Sequence, residues 1–288
     1  MMPIAFSLPK TFVVRGALFL PFLFLVPASQ AQTNRQVLTQ MLSALQQVQT
    51  LKYRFVKEER FAGKMEKKEM LVHYRKQPFS LSLYFYEPNP GMQVWYQEGK
   101  NNNQAHIHLA SKWLAWLQPD MDPQSKGMRK GEHHTLMESG LEFTRKLIFH
   151  LKERADKENR FDELCKYEGE VTWDNRKCHK LLLQYPNFTW EKYTLKPGES
   201  IETLARRLYL NPYLILERNG FSWYDKARPG DQIIIPNIYA KRVYLYVDKI
   251  NLMPIYQEVH DDQGIFEKYS YILLLVNPSI DEKVFSWE

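Results

Sequence analysis

Residues 193–236 read YTLKPGESIETLARRLYLNPYLILERNGFSWYDKARPGDQIIIP, a complete small unit set inside a longer chain. Tyr193 to Leu195 form a short extended run, and Pro197-Gly198 turn the chain. Ser200 stands at an N-cap, where its hydroxyl can satisfy an orphan helix N–H. Ile201, Leu204, Ala205 and Leu208 follow at i, i+3, i+4 and i+7 and line one helical face. Asn211-Pro212 starts a second helix, a cap followed by proline at the first helical position. Asn219-Gly220 stops it, Arg228-Pro229-Gly230 makes another turn, and Gln232 to Ile235 is a β-branched strand ended by Pro236.

This strand–helix–helix–strand order, with YTLKPGES, IETLARRL, NPYLILERNG and RPGDQIIIP, resembles a LysM domain, the βααβ module that binds N-acetylglucosamine-containing glycans. Two features depart from the family pattern: Glu199-Ser200 stands where Asp-Thr is commoner, and the segment Phe221 to Ala227 is long and aromatic. The resemblance implies a glycan groove between two loops. Gly198, Glu199, Ser200 and Ile201 belong to the first, and Phe221, Trp223, Tyr224 and Arg228 to the second. Exposed aromatic rings there would stack on a sugar face. The competing role for Trp223 and Tyr224 is to fasten the module to the rest of the chain.

Strand patterns continue on both sides of the module. An amphipathic helix is expected over 34–50, with Val37, Leu38, Met41, Leu42, Leu45 and Val48 on one face. Strands are expected at 52–59, 64–74, 79–86, 92–98 and 104–110, then a helix from Ser139-Gly140 to about Arg154, then a hairpin over 167–185. After the module come strands at 243–248, 253–259 and 265–275. The two strands of a βααβ unit pair, so its ends lie side by side and it can be spliced into a loop of a host. The domains expected are thus a host of residues 32–190 and 239–288 and a module of residues 193–236. The host phrases LVHYRKQPFSLSLYFYEP, QVWYQEGKNNNQAHIHL, GEHHTLMESGLEFTRKLI and the final VYLYVDKINLMPIYQEVHDDQGIFEKYSYILLLVNPSIDEKVF resemble the lipoprotein-carrier-like group, and more closely an exported family, domain of unknown function 1571. The fold class implied is α+β: a strongly curved antiparallel sheet wrapped around helices. In carriers such as LolA and LppX its concave side takes acyl chains, and RseB-like relatives bind lipids or envelope proteins. By this resemblance Leu81, Leu83, Phe85, Val243, Leu245 and Val247 are candidates for an apolar cavity wall; ordinary close-packed core is the alternative. Trp113, Trp116 and Leu117, with Met121 and Met128 beyond, are either a lid or a buried plug.

Lys10 and Arg15 precede the apolar run Ala17 to Val26, and Ser29-Gln30-Ala31 is a small-x-small site, the pattern of a signal peptide over 1–31; an uncleaved membrane anchor is the alternative, against which the run is short and interrupted by Pro21 and Pro27. Export to the periplasm follows, with no transmembrane span after cleavage. Loss of Lys10 and Arg15 lowers the net charge from +6 to +4. In an exported chain Cys165 and Cys178, on opposite arms of the 167–185 hairpin, suggest a disulfide; free buried thiols are the alternative. His106 and His108 share a strand face without an evident third ligand and read as a solvent-side pair. No metal or cofactor is expected. Lys57 to Arg60 and Lys67 to Glu69 read as the solvated side of a hairpin, and His133-His134 as part of a charged loop. The sequence lacks a Gly-x-Ser-x-Gly elbow, an HExxH pair and a glycine-rich phosphate loop, and its basic residues are scattered. The expectation is a non-enzymatic envelope protein without nucleic-acid partners, binding peptidoglycan through the module and a lipid, lipoprotein or envelope protein through the host. The alternative is an assembly protein whose module serves protein contacts.

Overall fold

A computed structural model of the chain describes residues 28–110 and 117–287, with side chains from Asn34 onward. The apolar run 17–26 and the Trp113/Trp116 pair lie outside the described residues. The chain opens with α1 (Ala28–Gln46). The strands follow as β1 (Thr50–Phe61), β2 (Lys64–Arg75), β3 (Ser80–Glu87), β4 (Gln93–Gln97), β5 (Ala105–His108), β6 (Asp120–Met121), β7 (Cys165–Trp173), β8 (Arg176–Gln184), β9 (Trp190–Thr194), β10 (Gln232–Pro236), β11 (Arg242–Asp248), β12 (Pro254–His260) and β13 (Ile265–Val276). The remaining helices are α2 (Lys126–Arg129), α3 (Glu142–Lys157), α4 (Phe161–Leu164), α5 (Ile201–Leu208) and α6 (Pro212–Arg218). Helix α1 ends four residues before the 34–50 pattern does, because Thr50 already pairs with Arg75 in the sheet.

Eleven strands form one antiparallel sheet in the order β6-β5-β4-β3-β2-β1-β13-β12-β11-β8-β7. Two of its turns are of the tight kind that needs positive φ at both central residues: Ala62-Gly63 (φ 47° and 80°) and Asp174-Asn175 (φ 47° and 57°). Helices α1 and α3 cover one face. The apolar stripe of α1, Val37, Leu38, Met41, Leu42 and Leu45, is buried in a core shared with Leu147 and Ile148 of α3 and with inward residues of the sheet.

The stretch 190–236 is built separately. Among the described residues its strands β9 and β10 pair only with each other, Tyr193 opposite Ile233 and Trp190 opposite Pro236, so the module begins and ends at one place. Ser200 accepts the N–H of Thr203, and Asn211 accepts those of Tyr213 and Leu214, capping α5 and α6. Leu195, Ile201, Leu204, Ala205, Ile215, Ile233 and Ile235 form a second, independent apolar core.

The expected disulfide is not formed: Cys165 and Cys178 are buried free thiols. The register explains why. Cys165 lies opposite Leu183 and Cys178 opposite Val171, so Cys178 is displaced five positions along β8 from the point facing Cys165. Five strand residues span about 16 Å, and a disulfide needs Cα atoms within about 7 Å. Burial pushes the two thiols up, to about 12 for Cys165 and about 11 for Cys178.

Candidate functional site

A cavity of about 400 Å³ lies between the sheet and α3. Every strand of the large sheet except β7 contributes to its wall. Eleven strands laid flat would span roughly 50 Å, so a wall drawn from ten of them requires the sheet to curl around the space. One end is apolar, with Leu83 and Phe85 of β3, Val94 of β4, Ile107 of β5, and Met121 and Met128. The helix side is Phe143, Leu147, Ile148 and Leu151.

The other end is ionic. Period-two alternation carries β1 inward through Leu51, Tyr53, Phe55, Lys57 and Glu59, so two charged residues continue an apolar face. Lys57, Glu59 and Arg60 are buried, against the solvated hairpin face expected from the charge run. Glu59 lies directly opposite Glu267 of β13 in the ladder, a pairing of like charges that destabilises a sheet unless it is compensated. The compensation comes from Lys57, His133 and His134. His133 Nδ1 is 2.8 Å from Glu267, its Nε2 is 2.9 Å from the Arg60 carbonyl, and its backbone N–H donates to Glu59 at 3.4 Å. His134 sits between Glu138 (3.1 Å) and Glu267 (3.3 Å). Lys57 is ion-paired with Glu59 at 3.3 Å and with Glu132, and Tyr269 donates to Glu59 at 2.8 Å. Burial by itself disfavours the His134 imidazolium, but Glu267 and then Glu138 outweigh it and raise its pKa to about 10. Burial likewise works against the Glu267 carboxylate, and the two histidines outweigh it, holding it well below the carboxylate range. Glu59 is brought down to about 2, with Lys57 the strongest of the groups opposing its burial. Lys57, Glu59, Glu132, His134 and Glu267 all face the cavity.

The same cluster holds the inserted module. Asn211, the cap of α6, donates its Nδ2 to Glu267 at 2.6 Å and to the Tyr239 hydroxyl at 3.2 Å. Tyr213 stacks on His133 with ring centroids 4.4 Å apart. Arg60 binds Asp261 and reaches Glu217 of α6 at 3.5 Å. A strap, residues 121–138, runs between module and cavity. Met121, Met128, Glu132, His134 and Leu136 face the cavity. Gln124, Lys126 and Arg129 face the module: Gln124 meets Arg206 at 3.4 Å, Lys126 lies 5.3 Å above the Trp223 ring, and Arg129 meets Glu202 at 3.4 Å and lies 4.1 Å above the Tyr224 ring.

The candidate residues fall as follows. Leu83, Phe85, Val243 and Leu245 line the cavity, whereas Leu81 and Val247 are fully buried core outside it. In the module's first loop Gly198 (φ 78°) is exposed and Ser200 caps α5. Glu199 accepts from Tyr193, Lys196 and Arg207, and Ile201 is buried in the module core. In the second loop Arg228 is exposed, and Phe221 and Trp223 are half-buried. Tyr224 is only 2 % exposed and offers no open ring to a sugar. His106 is not on a solvent-side face: it is buried, bonded to Asp120 at 2.8 Å and Gln118 at 3.1 Å, and stacked on Trp287. Among the described residues no group of three His, Cys, Asp or Glu is placed to hold a metal.

Comparison with known families gives one match, to the protein family of unknown function DUF1571 over residues 48–196. The chain belongs to this family. The matched segment runs from the end of α1 to Lys196, so it ends inside the module's first loop and leaves the rest of the module out. No curated protein matches the sequence. Similar solved structures include a DUF1329 family protein from Desulfovibrio piger (12 % identity, 90 % of this chain and 98 % of that one, TM-score 0.35). The Mycobacterium tuberculosis lipoprotein LppX is similar over 86 % of this chain and 98 % of its own (8 % identity, TM-score 0.40). The Pseudomonas aeruginosa MucA/MucB complex is similar over 89 % of this chain and 61 % of that one (11 % identity, TM-score 0.40).

Proposed function

We propose that this DUF1571 protein is an exported, non-catalytic binding protein of the cell envelope. Its host cavity takes an acyl chain of a lipid or lipoprotein, and its βααβ module, read as a LysM domain, docks on peptidoglycan. The observation that carries the proposal is the cavity: about 400 Å³ with one apolar and one ionic end, within the size range of small-ligand pockets. An acyl chain fits the methionine-, leucine- and phenylalanine-lined end, and its polar head meets Lys57, Glu132 and His134 at the other.

Displacement of a fluorescent fatty acid by the mature protein's own extracted lipids tests the host. Leu83→Trp, which fills the apolar end, is expected to abolish probe binding and leave the melting temperature nearly unchanged. Unaltered probe binding in that variant would sink the carrier reading. Co-sedimentation with purified peptidoglycan tests the module, with Phe221→Ala/Arg228→Ala as the altered form.

A second reading is favoured by one observation. The strap touches both the first turn of α5, at Glu202, and the second loop, at Trp223 and Tyr224. If a glycan groove lies between those two loops, the strap crosses its entrance, and the module then serves contacts within an envelope assembly. A wild-type protein that stays soluble with peptidoglycan supports this second reading.

A further inference from the structure

The most exposed large apolar side chains among the described residues are Ile250 (90 %), Leu273 (68 %) and Leu275 (52 %), and register and turn contacts bring all three to one end of the large sheet, a tip of the molecule. Three segments meet there. The β11–β12 turn carries Ile250, and its Lys249 N–H donates to the Lys177 carbonyl at 2.9 Å. The β7–β8 turn supplies Asp174, which accepts the Leu273 N–H at 2.9 Å, and Arg176, which donates to the Leu274 carbonyl at 2.9 Å. Leu275 faces Lys52 across the β1–β13 ladder.

Leu273 has a φ of 52°. A left-handed backbone is costly for a branched residue other than glycine, and exposure of its side chain adds no compensating burial. Asp174 fixes this conformation instead of relieving it.

The rim is basic on balance. Arg176 is paired with the buried Asp248 at 2.8 Å, and Lys249 is paired with Glu170. Asp174 adds one further negative charge. Lys52 and Lys177 are exposed and form no ion pair among the described residues.

The position of the tip is set by the β8–β11 ladder. The ladder runs from Gln184 opposite Arg242, where the chain leaves for the module, to Cys178 opposite Asp248, beside the tip. Six residue steps separate the ends, roughly 20 Å.

We propose that this tip is a membrane-contact site for an anionic bilayer surface. Ile250, Leu273 and Leu275 enter the interface, and Lys52 and Lys177 meet lipid phosphates. Exposed apolar side chains with a cationic rim match the headgroup–acyl boundary, where both chemistries are served at once. The protein then stands on the membrane with its module held at the far end.

Vesicle flotation of the full mature chain tests this. With phosphatidylglycerol/phosphatidylethanolamine vesicles the wild type is expected to float, and with phosphatidylcholine vesicles to stay below. Ile250→Asp/Leu273→Asp is expected to weaken partitioning by at least about tenfold, because burial of even one such side chain is worth that factor. Lys52→Glu/Lys177→Glu is expected to remove the preference for anionic lipid. Ile250→Asp alone provides a variant whose side chain makes almost no packing contact, so its loss of flotation is not a folding effect. The cavity variant Leu83→Trp is expected to float like the wild type, which separates surface contact from lipid uptake. Wild-type protein that does not float with anionic vesicles, or tip variants that float equally well, would overturn the proposal. A concentration-dependent dimer lost in the tip variant would also overturn it, by assigning the patch to a second copy.

Discussion

Asn211 does two separable things, and one pair of substitutions pulls them apart. Its carbonyl oxygen caps α6, and its Nδ2 joins the module to Glu267 and Tyr239 of the host. Asp and Ser cap a helix about as well as Asn, so Asn211→Asp and Asn211→Ser both keep the cap and both lose the amide N–H that reaches Glu267. They differ in charge. Loss of a hydrogen bond to a buried charged acceptor costs about 1.5–3 kcal/mol, and for the Ser variant that cost is independent of pH.

In the Asp variant two carboxylates meet in a site where Asn211 and Glu267 are both fully buried. At a separation near 3 Å and an effective dielectric of 20, their repulsion is about 5.5 kcal/mol. Retention of a shared proton is less costly than that until the pH is well above the ordinary carboxylate range, so the pair titrates as a dyad. The penalty therefore grows by about 1.4 kcal/mol for each pH unit between 5 and 7. For a chain of this size each kcal/mol moves the melting temperature by about 2–4 °C. The difference between Asp and Ser variants should thus widen by about 3–6 °C per pH unit, as read by calorimetry or circular dichroism. Parallel pH profiles for the two variants, or an Asp variant that melts with the wild type at pH 7, would refute a direct Asn211–Glu267 latch.

The wild-type protein should itself show a two-sided pH profile. The His134 pKa is raised from 6.5 to about 10, so its stabilisation is complete below 6.5 and is lost as pH rises through 10. Glu59 and Glu267 are depressed, so theirs is present above about 4.5 and is lost as pH falls toward 2; His134→Gln should remove the alkaline arm and leave the acid one. Gly140→Ala should destabilise by about 2–4 kcal/mol, because Gly140 has a φ of 82° and an added Cβ would lie 2.8 Å from the Tyr74 ring; a variant that melts within 2 °C of wild type would contradict this packing. Reducing agent should leave the melting temperature unchanged, and thiol titration should find two thiols per chain after denaturation and almost none before, since Cys165 and Cys178 are free and buried.

Much of the fold is legible in the sequence because local rules dominate it. The caps at Ser200 and Asn211, the period-two runs and the turn residues each fix their element without help from distant contacts. What was not legible is the ionic wall. A run such as Lys57-Glu58-Glu59-Arg60 has the composition of a surface, and composition alone places it there. The alternation does contain the opposite signal, since Lys57 and Glu59 continue the inward parity of Tyr53 and Phe55. That signal decides only once the partners are known, and they lie 74 to 208 residues away, at His133, His134 and Glu267. The disulfide failed for a related reason: hairpin membership can be read from the sequence, whereas the register that separates Cys165 from Cys178 by five positions is a property of the paired sheet.

The strap gives the molecule a further property. Its residues alternate between two surroundings, with Met128, Glu132 and His134 on the cavity and Lys126, Arg129 and His133 on the module. A ligand that enters the cavity and moves Met128 or Glu132 therefore pulls on a backbone that is also pinned to Trp223, Tyr224 and Tyr213. Glu267 has the same double membership, lining the cavity while accepting from Asn211. Coupling of this kind is reciprocal by thermodynamic necessity. Asn211→Asp, which acts on the module side of Glu267, should then change the affinity of the cavity for a fatty-acid probe although residue 211 does not line it. Equal probe affinities in wild type and Asn211→Asp at pH 7, with the module demonstrably loosened, would show that the two halves share a wall without sharing energy.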